Sequence, residues 1–241
     1  MIYTFFPVLL FFMASFTGQK QITAVTQPTE TILIAANSGK SAMEMKVENV
    51  FNSLNANNLA LPKFISFSNA IQGYYALKAK GQVNRDILTV IDFSMSSNSK
   101  RLWVIDLSTN TILYNTLVAH GRNTGDEFAK SFSNSAESYK SSLGFYATGE
   151  IYTGKHGMSL RLDGLEKGVN DNARHRAVVI HGADYVAESF IKNNSRLGRS
   201  LGCPALPVEL TKEIINTIKD KSCLYIYHPS RDAKSASRLL S

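Results

Sequence analysis

Two cysteines occur in the chain, in very different settings. Cys203 lies in Arg199-Ser200-Leu201-Gly202-Cys203-Pro204, and Cys223 opens the apolar run Cys223-Leu224-Tyr225-Ile226. A cysteine between glycine and proline in a loop is poorly placed for core packing. It is well placed for attack, because a nucleophilic thiolate needs exposure, a base and backbone donors for the oxyanion it creates. Gly202 lets the backbone approach a substrate, and Pro204 and Pro207 stiffen the chain after the cysteine. Cys223 reads as a buried structural thiol. The alternative for Cys203 is a disulfide to Cys223, which an even count permits in an exported chain. The base candidate is His181, in Val178-Val179-Ile180-His181-Gly182. A strand delivers this imidazole, and Gly182 leaves room beside its ring.

Three further residues could act near that pair. His120-Gly121 and His156-Gly157 are glycine-flanked loop sites that either border a substrate cleft or serve as structural hydrogen-bonding groups. Arg199 could supply positive charge near the thiol. No C-x-x-C or H-x-x-x-H spacing is present, so no metal and no cofactor is assigned.

The elements that must position these groups can be read from periodicity. Met45, Val47, Val50, Phe51 and Leu54 recur at helical spacing, and a second helix is expected over 68–80, with Ile71, Tyr74, Tyr75 and Leu77 on its apolar side. Strands are expected over 87–93 and 143–151. Residues 101–107 and 111–119 read as a hairpin turning at Ser108-Thr109-Asn110, and 176–181 as a buried strand ending in the histidine. A short helix over 184–192, an amphipathic helix over 207–219 and a closing strand over 223–227 complete the pattern.

Apolar residues make up 44% of the 241, which excludes a disordered chain. The net charge of +7 suits an acidic partner, but the basic residues are scattered and not interleaved with aromatics, which argues against nucleic acid. Ile2 to Phe16 is almost wholly apolar and too short for a comfortable membrane span. Residues 1–18 are therefore expected to be a signal peptide or N-terminal anchor, with export to the periplasm or cell envelope and membrane or outer-wall association through this end. Residues 19–40 read as a linker, 41–85 as a helical accessory segment, 86–229 as the catalytic domain and 230–241 as a flexible basic tail.

Several separate motifs then coincide. They are Ile91-Asp92-Phe93-Ser94, Val118-Ala119-His120-Gly121, Ser141-Ser142-Leu143-Gly144-Phe145, Gly154-Lys155-His156-Gly157 and Leu160-Arg161-Leu162-Asp163-Gly164-Leu165, with His181-Gly182 and the Cys203 loop. Together, over roughly 68–227, they resemble the murein L,D-transpeptidase catalytic domain family, the YkuD-type enzymes. The chain departs from that pattern at Leu201, where many members have histidine, and at Pro204 and Ala205, where many have arginine or asparagine after the cysteine. The resemblance implies a mainly β (α+β) fold, a mixed β-sandwich or barrel with peripheral helices and an N-terminal helical segment. It implies that Cys203 attacks a peptidoglycan tetrapeptide stem, forms a thioester and yields 3–3 cross-links, with His181 as base. By analogy, Gly202 and Cys203 amides form the oxyanion hole, and Ser200 orders the loop or binds substrate. Arg199, Gly182, Leu201, His120 and His156 are the expected substrate-side residues. L,D-carboxypeptidase action on the same stems, an inactive wall-binding module and, more distantly, a sortase-like transpeptidase are the alternatives.

Overall fold

The structure is a computed structural model, which describes residue 1 and residues 41–231. The expected signal or anchor, the linker and nearly all of the basic tail lie outside the described residues.

Eight strands form one mixed sheet. They are β1 (Ile87–Asp92), β2 (Leu102–Asp106), β3 (Thr111–Thr116), β4 (Gly144–Gly154), β5 (Gly157–Gly164), β6 (Val179–Gly182), β7 (Ala205–Leu206) and β8 (Cys223–Tyr227). Their order is β3-β2-β1-β8-β4-β5-β6-β7. The β1–β8 and β6–β7 pairs are parallel, and the rest are antiparallel. Four helices are present among the described residues: α1 (Ala42–Asn52), α2 (Phe64–Ala79), α3 (Glu188–Asn194) and α4 (Val208–Ile218). The architecture is thus mainly β with peripheral helices.

Strand alternation explains why helices lie on both faces. On one face, Ile91 of β1, Leu102 and Val104 of β2, and Leu224 and Ile226 of β8 pack with Ile214, Ile215 and Ile218 of α4. On the other, Leu88, Val90, Trp103, Ile105, Cys223 and Tyr225 pack with Val47 of α1 and Phe67, Ile71 and Leu77 of α2. The central strands are apolar at nearly every position because both faces are covered. Helices α1 and α2 therefore belong to the same compact unit as the sheet. Trp103, fully buried, latches them by donating from Nε1 to the Ala60 carbonyl at 2.8 Å. A reciprocal capping box between Ser41 and Glu44 starts α1.

Several boundaries differ from the sequence expectation. Helix α2 begins at Phe64, ahead of residue 68, and β4 runs on to Gly154 past residue 151. The strand carrying His181 starts at Val179, not 176, because Ala177 sits at φ +54° and interrupts the extended backbone. Helix α3 starts at Glu188, after a turn from Ala183 to Val186. Strands β5 and β7 were not expected. β5 alternates in sequence, with apolar Leu160 and Leu162 set between polar Ser159, Arg161 and Asp163, Ser159 also being buried, whereas two-residue β7 has too little sequence to carry a pattern.

The sheet nearly closes on itself. Beyond β3 the chain crosses to the far edge, where the Ala119 amide donates to the Ala205 carbonyl of β7 at 2.9 Å. Next to it, Ser200 N donates to His120 O at 3.0 Å and Arg122 N to Ser200 O at 2.8 Å. This seam presses the cysteine loop against the strand that bears His181.

Helix α2 approaches the sheet closely at Gly73, where any Cβ would intrude on the Phe145 ring, itself stacked on Tyr225 at 4.2 Å. Gly73→Ala is expected to destabilise the protein. Overpacking costs about 1–3 kcal/mol, against a helix-propensity gain of about 1 kcal/mol. A lower urea midpoint at unchanged m-value checks this.

Candidate active site

Parallel pairing of β6 with β7 sets His181 opposite Ala205, so Cys203 lies two residues before the partner of His181. The cysteine stands just off the start of β7 beside Val179, whose amide donates to Sγ at 3.4 Å. The thiol itself faces the Ala177 carbonyl at 3.7 Å. Val179 and His181 share a face of β6, as residues two apart in a strand do. Cys203 and His181 border the same cleft, of about 400 Å³. Both cysteines are free thiols, so Cys203 is not bridged to Cys223.

The imidazole is held in one tautomer. Nδ1 of His181 lies 2.9 Å from the Gly182 carbonyl, which only accepts. Nδ1 therefore carries the proton, and Nε2 keeps its lone pair for the cleft. Burial, chiefly, holds His181 below the ordinary imidazole value; the Gly182 carbonyl opposes this, and the charges of His156 and Lys155 reinforce it. The Cys203 thiol is raised above its ordinary value by burial. The Val179 amide, then the Arg176 and Lys155 charges, pull it back. At neutral pH these shifts favour an uncharged thiol beside an uncharged imidazole.

Local hydrogen bonds fix the cysteine loop. Ser200 Oγ accepts from the Gly202 amide at 3.1 Å and donates to the Cys203 carbonyl at 2.6 Å. Ser141 Oγ, which accepts from the Gly121 amide at 3.1 Å, donates to the Gly202 carbonyl at 3.0 Å. Gly202 adopts φ +129°, and a Cβ there would stand 3.0 Å from the Lys140 carbonyl. Of the two amides expected to form an oxyanion hole, that of Gly202 is committed to Ser200, because the turn folds it back onto the side chain. The Cys203 amide, close to its own Sγ, is the remaining candidate. Ser200 orders the loop.

The other expected residues separate. His156, at the tip of the β4–β5 hairpin, stacks on His181 with ring centroids 4.3 Å apart and borders the cleft. Leu201, 54% exposed, is at the cleft rim and reaches an adjoining hollow shared with Glu137, Tyr139 and Arg176. His120 is fully buried and cannot meet a substrate. Its Nδ1 accepts from buried Arg101 at 2.8 Å, and its Nε2 faces the Gly125 carbonyl at 3.2 Å. Burial, then the Arg101 charge, lower its pKa to about 4, so it is a neutral structural group. Gly182 faces away from the cleft contacts: a Cβ there would lie 2.7 Å from Thr211 Oγ1 of α4, so its smallness serves packing. Arg199 borders the cleft, but its guanidinium pairs with Asp126 at 2.6 Å and caps the Arg122 and Gly125 carbonyls. The cation behind the thiol is instead Arg176, which sequence reasoning treated only as the start of a strand. Tyr152, Lys155, Ser159 and Tyr185 complete the lining; of these only Lys155 stands in a motif the sequence singles out, beside His156. Among the described residues, no group of three or more His, Cys, Asp or Glu side chains is placed to hold a metal ion.

The sequence matches the L,D-transpeptidase catalytic domain family over residues 60–227. No curated protein matches it. Solved structures similar to it include an L,D-transpeptidase from Mycobacterium smegmatis, at 11% identity and TM-score 0.37, with 59% of each chain covered. The helical cell shape determining protein Pgp2 of Campylobacter jejuni is similar at 14% identity and TM-score 0.39, with 71% of this chain and 60% of that one covered. An L,D-transpeptidase from Stackebrandtia nassauensis is similar at 11% identity and TM-score 0.36, with 68% and 66% covered. The chain thus spans about 59–60% of the length of the first two.

The contrast between the two thiols gives a direct expectation. Iodoacetamide should modify Cys203 in the native protein and Cys223 only after denaturation, because Cys223 is fully buried on β8. Peptide mass mapping with and without urea distinguishes the two.

Proposed function

The chain belongs to the family of L,D-transpeptidase catalytic domains, and we propose that it is an exported cysteine transpeptidase acting on peptidoglycan stem peptides. The observation that carries this reading is the single cleft bordered by a partly exposed Cys203 and a His181 whose Nε2 is left unprotonated.

In this mechanism His181 Nε2 takes the Cys203 proton as the sulfur attacks the carbonyl of the diaminopimelate residue in a tetrapeptide stem. The tetrahedral intermediate collapses by breaking the C–N bond. The terminal D-alanine leaves as an amine carrying the proton returned from His181, and a thioester remains. An amine of a second stem attacks that thioester and gives its proton to His181. The C–S bond breaks, the thiol is restored and a 3–3 cross-link results. Water in place of the amine gives the carboxypeptidase reaction instead. Lys155, Arg176 and Arg199 border the cleft and, among the described residues, no Asp or Glu does, which suits a substrate bearing free carboxylates. The apolar run from Ile2 to Phe16 supports delivery to the periplasm or cell envelope.

Mass spectrometry of tetrapeptide muropeptides incubated with the enzyme tests the reading. Cross-linked dimers lacking one D-alanine are expected from the wild type and not from Cys203→Ala. Tripeptide without dimer identifies hydrolysis, and equal turnover by Cys203→Ala would overturn the mechanism. His181→Ala should slow the reaction about 10²–10⁴-fold. The pH profile depends on the buried pair. Protonation of His181 stops catalysis, and its pKa is lowered, so the acid limb of kcat/KM should fall below pH about 6.5. The alkaline limb, set by a raised Cys203 thiol, should lie above the ordinary thiol range of about 8.5. An acid limb above pH about 7 would contradict this assignment.

A further inference from the structure

Arg176 is half-buried and has no anionic partner of its own among the described residues. Nη1 donates to the Ser133 carbonyl at 2.8 Å and to Ser142 Oγ at 2.5 Å. Nη2 donates to the Lys140 carbonyl at 2.7 Å and to Ser138 Oγ at 3.3 Å. All four acceptors are neutral, and among the described residues no carboxylate forms an ion pair with it. Several other guanidinium groups are ion-paired, Arg231 with Glu166, Arg174 with Asp163 and Glu150, and Arg199 with Asp126, whereas the fully buried Arg101 is held by the Met95 and Val118 carbonyls and His120 Nδ1, away from the cleft. A guanidinium withdrawn from water without a counter-charge is costly, and such groups are normally matched. Arg176 stands directly behind the cysteine loop, its Nη2 3.5 Å from where a Cβ of Gly202 would be, and it borders the cleft with Cys203.

We propose that the missing counter-charge is the Cys203 thiolate itself: Arg176 is the fixed cation that receives the sulfur's negative charge when His181 takes its proton. This rests on Cys203 being the reacting thiol. Arg176 is a positioning residue, held by the 131–142 loop and touching no reacting atom. The electrostatics agree. Burial disfavours the Arg176 cation, while an ionised Cys203 favours it. The other groups facing the sulfur do not replace it. Arg199 is paired with Asp126, and Lys155 and His156 sit on the exposed hairpin tip. Tyr185 and Tyr146 are neutral phenols, and the Lys140 amine is turned to Ser131 Oγ. Glu137 borders the neighbouring hollow without pairing to Arg176.

The test is the pH dependence of iodoacetamide alkylation at Cys203, which reads the thiolate without any wall substrate. Arg176→Gln keeps a hydrogen-bonding amide, though with fewer donors and shorter reach, and removes charge; its alkylation midpoint should rise by about one pH unit, slowing reaction at pH 7 about 10-fold. Arg176→Lys keeps the charge and loses the planar fork; its midpoint should stay near the wild type even where thermal stability falls. Ser142→Ala removes one clamp contact with the cation retained, and should also leave the midpoint in place. A wild-type midpoint in Arg176→Gln, or equal shifts in the Gln and Lys variants, would overturn the proposal. If Arg176→Gln does not fold, movement of the midpoint in Arg176→Lys or Ser142→Ala overturns it, and unmoved midpoints in both support it. Absence of cross-linking by the wild type, together with the expected alkylation shifts, would instead count against the transpeptidase reading alone.

Discussion

The pairing of β6 with β7, sealed by the Ala119–Ala205 bridge, is the constraint on which the site depends. It is only two residues long on the β7 side, yet it joins the far edge of the sheet to the segment leaving β3. Without it, nothing in the sheet order would bring the cysteine loop beside the histidine strand. Its backbone bonds are individually modest, worth about 1 kcal/mol net each. Their cooperation with the Ser200 and Ser141 side-chain bonds makes the loop a single rigid turn.

That rigidity suits the proposed chemistry. A cysteine–histidine pair works when the thiol, the base and the incoming carbonyl are held in register. Here the tautomer of His181 is fixed by its own neighbour's carbonyl, with no carboxylate in that place. The ring is held from the other side by His156. Burial lowers the imidazole and raises the thiol, which favours a neutral resting pair, and in the proposed mechanism charge develops only as the sulfur attacks. A partly buried site of this kind gains from charge compensation already in place, since fixed protein charges need not reorganise as solvent does.

A second polar centre supports the first from below. Arg101 is fully buried and binds the Val118 and Met95 carbonyls together with His120 Nδ1. It fixes the 118–121 segment that forms one side of the seam. His120 thus contributes to the site through backbone placement, although its sequence setting beside Gly121 looks the same as that of His156 beside Gly157. The two histidines differ only in what surrounds them.

The sequence by itself determined the central strands and the amphipathic α4, because period-2 and period-3.6 patterns are local properties of the chain. It also singled out Cys203 and His181, since a cysteine between glycine and proline and a histidine ending an apolar strand are unusual local settings. Tertiary structure alone decided the rest. Two-residue β7 is a strand only because β6 and Ala119 supply partners from distant parts of the chain. The Gly202 amide is spent on Ser200 because the loop closes on itself, and Arg199 is neutralised because Asp126 happens to face it. Arg176 gains its place behind the sulfur from a loop well before it in the chain. Which charges meet is a matter of distance in space, and electrostatic energy depends on that distance and not on separation along the sequence.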